Sequence, residues 1–137
     1  MTPFGAAPAF RLSVDVEPPC ALDPATMGPV RLVRITGGRV EGGIAGHIVP
    51  GGTDWQSVAE QGLTLIEARY LLELTDGARV ELQSRGQRTP TAAKFWSSIW
   101  LRTVAPAHAG LNLQQYLGHG YKEGKQVIID VYQLPAQ

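Results

Sequence analysis

The chain has 137 residues, 44% hydrophobic and 18% charged, a balance that suits one globular domain with its own core and excludes a disordered acidic or basic tail. Its 12 Lys and Arg are matched by 12 Asp and Glu, so there is no positive surplus for phosphate and no nucleic-acid partner is expected. A net charge near zero also favours association, so a homo-oligomer, dimer or higher, is expected.

Residues 10–17 open the fold. Phe10, Leu12, Val14 and Val16 alternate with Arg11, Ser13, Asp15 and Glu17, which is the pattern of a half-buried strand. Pro18-Pro19 ends it, and residues 20–29 read as a loop. Residues 30–36 form a second strand, turned at Gly37-Gly38, and 39–49 a third, whose glycines suit a bulge or a barrel bend. Residues 50–55, Pro-Gly-Gly-Thr-Asp-Trp, read as a tight polar turn. Strands at 63–75 and 78–85 flank Asp76-Gly77, the best hairpin signal in the chain. Residues 94–104 are a strand or a short helix: Phe95, Ser97, Ile99, Leu101 and Thr103 alternate with Trp96, Ser98, Trp100 and Arg102. Residues 111–120 are ambiguous. Residues 126–134 close the chain with a strand apolar on both faces, suited to burial between the core and another layer or subunit. The helix candidates are a turn or two near 57–61 or 112–116. Strand follows strand without helical crossovers, so residues 1–137 are expected to form a single all-β domain, a small antiparallel, calycin-like β-barrel.

The hairpin admits two registers. A two-residue turn pairs Thr75 with Ala78 and sends Glu67, Arg69 and Glu73 to the face of Val80 and Leu82. A three-residue turn with Gly77 left-handed pairs Leu74 with Ala78 and Leu72 with Val80. Ile66, Ala68, Tyr70, Leu72 and Leu74 then share a face with Val80 and Leu82. Because a one-residue slip exchanges the faces, the cleaner apolar set favours the bulged register. It points Tyr70 inward and leaves Glu67 and Arg69 on an outer ladder.

Several side chains are candidates for chemistry. Asp54, after two glycines and before Trp55, could be a general base at a barrel mouth, or a turn aspartate capping backbone N–H groups. Tyr70 could donate to a developing oxyanion, or be a core aromatic. Trp55 and Trp100 are candidate walls of a ligand pocket. Arg69 could hold a substrate carboxylate, and Asn112 and His119 are further candidate contacts, His119 because Gly118 and Gly120 let a ligand approach. His47, His108 and His119 lack metal-ligand spacing, and Cys20 is the only cysteine, so no metal is expected. Glycine runs precede no Lys-Ser/Thr helix, so no nucleotide cofactor is expected. No segment has the ~20 apolar residues of a membrane helix, and residues 1–10 lack a signal-peptide pattern; a cytoplasmic protein with no membrane partner is expected.

Pro50-Gly51-Gly52-Thr53-Asp54-Trp55 resembles the P-G-G-x-D-W signature of domain-of-unknown-function family 3237. Thr36-Gly37-Gly38-Arg39-Val40-Glu41-Gly42, Glu67-Ala68-Arg69-Tyr70, Thr75-Asp76-Gly77-Ala78 with Arg85-Gly86, Leu111-Asn112 with Gly118 and Gly120, and the strand from Val127 to Tyr132 follow in the family's order. One departure is Gly110, where the family often has a Trp before Leu-Asn. The resemblance covers residues 30–134 and implies a small antiparallel β-barrel that tends to associate. From the residues themselves the expectation is a cofactor-independent lyase, isomerase or cyclase using acid–base chemistry on a small, partly hydrophobic carbonyl or aromatic metabolite, with Asp54 as base and Tyr70 as donor. The rival is a non-catalytic binder of a hydrophobic small molecule.

Overall fold

The computed structural model describes residues 6–135. Ten strands form one sheet: β1 (Phe10–Val16), β2 (Cys20–Ala21), β3 (Val30–Gly42), β4 (Gly46–Ile48), β5 (Gly52–Val58), β6 (Thr64–Leu74), β7 (Arg79–Arg88), β8 (Lys94–Arg102), β9 (Tyr116–Glu123) and β10 (Gln126–Gln133). The sheet closes because β1 pairs antiparallel with β10 on one side and with β3 on the other. Between β3 and β6, the short strands β4 and β5 lie end to end and act as one stave of an eight-strand antiparallel barrel. A short helix, α1 (Pro24–Met27), is capped by Asp23, whose carboxylate accepts the Ala25 N–H at 3.0 Å. Single 3-10 segments span Glu60–Gly62 and Pro106–Leu113. No helix of the described residues is long and apolar enough to cross a membrane.

Two local expectations fail for identifiable reasons. Gly37-Gly38 does not turn the chain but lies within β3. Asp15 faces Gly37 while Val16 faces Ile35, so Thr36 is an extra residue; the strand bulges there and passes from β5 to β4. Of residues 50–55, only Pro50 and Gly51 belong to the turn, and Asp54 and Trp55 lie inside β5. Residues 94–102 are strand, and the ambiguous 111–120 divide between the second 3-10 segment and β9.

The β6–β7 hairpin adopts the bulged register. Leu72 faces Val80 and Tyr70 faces Leu82. The Leu74 N–H donates to Ala78 O, the Gly77 N–H to Leu74 O, and Gly77 is left-handed at φ 88°. Every second residue of β6 therefore points inward, where Leu72, Val80 and Leu82 meet Leu12, Ile99 and Val131 in one fully buried cluster. β10 is apolar on both faces as expected: Ile129 and Val131 point inward, and the outer-face residues Ile128 and Tyr132 are buried as well.

The register gives opposite outcomes for neighbouring leucines. Leu72→Ala empties a filled core and should cost ~2–5 kcal/mol in urea unfolding, whereas Leu71→Ala, on the outer face, should cost less than about 1 kcal/mol. Equal losses would contradict this register.

Candidate active site

The packing of the barrel is uneven along its axis. One end is filled by large aliphatic side chains. Toward the other, inward positions carry small residues, Ala68, Ser84, Gly86 and Gly118, and the barrel retains a cavity of about 40 Å³. This is room for about two or three waters, or for the reacting end of a larger molecule. Val14, Ile35, Ile66, Phe95, Val127 and Ile129 supply its apolar wall, and Asp54, Tyr70 and Ser84 its polar groups.

Asp54 reaches this cavity because β5 alternates with its polar residues inside. Asp54 faces Ala68 across the β5–β6 pair, and Tyr70 is the next inward residue of β6. The two are therefore diagonal cross-strand neighbours, about 7–8 Å apart at the backbone. Gly52 makes the pairing possible: a Cβ there would overlap the Tyr70 Cβ. That is a steric reason for a glycine two residues before the aspartate.

The hydrogen bonding of Asp54 is asymmetric. Gln56 Nε2 donates to its Oδ2 at 2.8 Å, and Arg31 Nε donates to Gln56 Oε1 at 2.8 Å, a relay from guanidinium through amide to carboxylate. The other oxygen, Oδ1, is buried without a partner, and so is the Tyr70 hydroxyl. Burial pushes Asp54 up from 3.8 to about 6, against the opposing pulls of the Gln56 amide, the Glu67 backbone N–H and the positive charges of Arg31 and Arg88. Burial, and then the Asp54 charge, push Tyr70 well above its ordinary value, so its phenol stays protonated and is a donor. The pair thus offers an acceptor that titrates at about 6 and a fixed proton donor, both lining one small cavity.

The other candidates lie elsewhere. Trp55 and Trp100, expected as pocket walls, project from the outer surface and are 46% and 43% exposed, because their strand positions have the outward parity. Arg69 is also outside and pairs with Glu81 at 2.5 Å. Asn112 caps the end of β8: its Oδ1 accepts the Thr103 N–H and its Nδ2 donates to Thr103 O, each at 2.8 Å. His119 stacks on Trp96 outside the barrel, ring centroids 4.0 Å apart, and burial and then the Lys94 charge push its pKa down. His47 contacts Glu73 and His108 contacts Asp76, so the three histidines occupy separate places. Wider grooves lie on the outer face: one of about 470 Å³ beside Trp55 and Trp96 contains neither Asp54 nor Tyr70, and one of about 380 Å³ beside Arg69 and Glu81 reaches Tyr70 but not Asp54. Gln56, Arg31 and Ser84 were missed by sequence reasoning. Once Asp54 is placed in a strand, the i+2 spacing to Gln56 is the signal that finds the relay.

A closed antiparallel barrel with a desolvated acid and phenol at one mouth is the class that fold and site define. The family model described as "Protein of unknown function (DUF3237)" matches residues 5–134, and the chain belongs to that family. A UPF0311 protein of Bradyrhizobium diazoefficiens is 28% identical over 127 residues, covering 79% of this chain and 82% of that protein. The crystal structure of a β-barrel-like protein from Acinetobacter baumannii is 32% identical, covers 98% of both chains and superposes with a TM-score of 0.86. An enzyme from Penicillium herquei shares the fold at 17% identity, with 96% of this chain and 99% of that chain covered and a TM-score of 0.66.

Folding raises the Asp54 pKa, so the folded chain holds this proton more tightly than the unfolded chain. Stability should therefore fall as pH rises from 3.8 through about 6, and the loss is complete above that window. Its size is ~3 kcal/mol, from a change of about two pH units at 1.36 kcal/mol each. Asp54→Asn should raise stability by ~2–3 kcal/mol at neutral pH, with the gain vanishing near pH ~4. A variant less stable than the parent at neutral pH would contradict the assigned environment.

Proposed function

We propose that the protein is a cofactor-independent enzyme, a lyase, isomerase or cyclase that moves protons on a small, partly hydrophobic carbonyl or aromatic metabolite. What supports this reading is one observation: Asp54 and Tyr70 line the same cavity, and each carries a buried oxygen, Oδ1 and Oη, that has no hydrogen-bond partner among the described residues. Buried polar groups left unsatisfied are rare, and such sites are where ligands complete the hydrogen bonding. In the proposed reaction Asp54 removes a proton from carbon next to a carbonyl, and the Tyr70 O–H donates to the enolate oxygen as charge develops there. Asp54 then returns the proton to a different atom of the substrate, or passes it to a leaving group on the neighbouring carbon as the enolate electrons form the new double bond and the bond to that group breaks. The Penicillium herquei enzyme is consistent with catalysis in a barrel of this kind, though at its identity the likeness is one of fold. The exposed free thiol of Cys20 suits a reducing compartment, and a cytoplasmic location is part of this reading.

The test is proton exchange. The protein is incubated in heavy water with indanone, tetralone and benzylacetone, and loss of the α-proton signal is followed by NMR. At least one ketone should exchange faster than in buffer, with a rate that rises about tenfold per pH unit below about 6 and levels above it, because the base acts deprotonated. Asp54→Asn should lower the rate by ~100-fold or more, and Tyr70→Phe by ~10-fold or more. No exchange with any ketone, or equal rates in both variants, rejects the reading.

The otherwise aliphatic lining favours a second reading, a non-catalytic binder of a hydrophobic small molecule. That function needs no titrating group, so its ligand affinity would stay flat across the titration of Asp54.

We further infer that the outer face of β5–β8 holds a second copy of the chain. Leu65, Trp55 and Trp96 are large and exposed there. Between them Glu67 and Arg85 face one another in register without forming an ion pair among the described residues, so each is free to pair reciprocally across a two-fold axis. Light scattering should give a multiple of the chain mass, reduced to one chain by Leu65→Glu. A parent protein already at the mass of one chain contradicts this.

A further inference from the structure

The inward alternation continues past the cavity to the rim of the barrel. On β7 it runs through Ser84 and Gly86 to Arg88, which faces Thr64 of β6. On β3 it passes from Val33, opposite Asp54, to Arg31, opposite Gln56. Followed around all the staves, the inward positions of the described strands carry one carboxylate, Asp54. Against it stand two guanidinium groups, and both are close enough for Asp54 to feel their charge. Lys122, exposed at the last inward position of β9, has the same sign.

The two arginines are differently engaged. Arg31 is committed to Gln56. Arg88 is half-buried, yet it forms no ion pair or side-chain hydrogen bond among the described residues. Even with Asp54 ionised, positive groups outnumber carboxylates at the inward positions of the mouth, and Arg88 is the one held at a partly desolvated position without a side-chain partner. Such a charge is costly unpaired, and it rejects cations while attracting anions. A guanidinium presents a planar fork that matches a carboxylate with two parallel hydrogen bonds.

We infer that the ligand is a small organic monoanion whose carboxylate or similar group is held by Arg88 at the barrel mouth, while its apolar body passes Ile66, Phe95 and Val127 and its far end meets Asp54 and Tyr70. Arg88 lies about 13–14 Å along β7 from Ser84 at the strand rise. The long arginine side chain shortens that span, so the anion and the far end are separated by a short apolar segment. The inference rests on the Asp54–Tyr70 cavity as the binding place but not on its being catalytic.

Octanoate, octanol and octylamine share one slim tail and differ in head-group charge. Each is titrated into the nitrogen-labelled full chain, and shifts of the amides lining the mouth, together with the Arg88 Nε–H, give the affinities. Octanoate should bind about tenfold tighter than octanol, the scale of one charge-assisted hydrogen bond, and octylamine more weakly than either. Arg88→Gln should lower the octanoate affinity by about tenfold and leave octanol unchanged, whereas Lys122→Gln should change octanoate by less than about twofold. Octanoate binding no tighter than octanol, failure of millimolar octanoate to shift the mouth signals, or a preference that survives Arg88→Gln each overturns the inference. Because the readout is binding, an intact anion preference without ketone exchange defeats the catalytic reading alone. Ketone exchange without an anion preference defeats this one alone.

Discussion

A carboxylate withdrawn from water is tolerated when other groups replace its hydration, and for Asp54 the replacement is lopsided. Gln56, itself held by Arg31, serves Oδ2, while Oδ1 is buried with no donor. The rest of the site is arranged around that imbalance. Gly52 lets Tyr70 pass close to β5, and Ala68, opposite Asp54, leaves the space that the acid faces. The Tyr70 phenol is kept protonated partly by the same negative charge. A group that destabilises the empty fold is thereby kept reactive, a common trade between stability and activity.

Barrel closure supplies the second constraint. With no free sheet edge between β1 and β10 or between β1 and β3, every stave must obey one inside–outside alternation. At the base this packs leucine, isoleucine and valine to exclusion of solvent. Toward the mouth the same alternation brings in Asp54, Gln56, Ser84, Arg31 and Arg88. One architecture thus contains a stabilising half and a chemically equipped half, and the aromatic side chains of Trp55, Trp96 and Trp100 go to the outer surface.

Much of this was legible in the residues. The β6–β7 register followed from asking which slip separates apolar from charged residues, and Thr-Asp-Gly named its turn. With that register Tyr70 had to point inward. Asp54 was harder to read: Pro-Gly-Gly looked like the start of a turn that would include it, because the polar run Thr-Asp-Trp-Gln-Ser hides an inverted strand with acid and amide inside and indole outside. The tryptophans misled for a related reason. Their bulk suggests a pocket wall, but on β8 Trp96 and Trp100 share their parity with Arg102, and the barrel can bury only the set of Ser97, Ile99 and Leu101. Asn112 and His119 stand out by their neighbours in sequence, whereas their roles depend on Thr103 and Trp96, brought to them by the fold. The Arg31–Gln56–Asp54 relay needs the pairing of three strands and is not written in any one segment.

The barrel mouth desolvates Asp54 while leaving one of its oxygens without a partner. Titration of the Asp54 carboxyl carbon by NMR in the full chain tests it most directly. The account predicts a midpoint at about 6, set by burial against the pull of Gln56 and the two arginines. A midpoint at or below the ordinary 3.8 would mean a solvated or fully paired carboxylate, and the account of the site would be wrong.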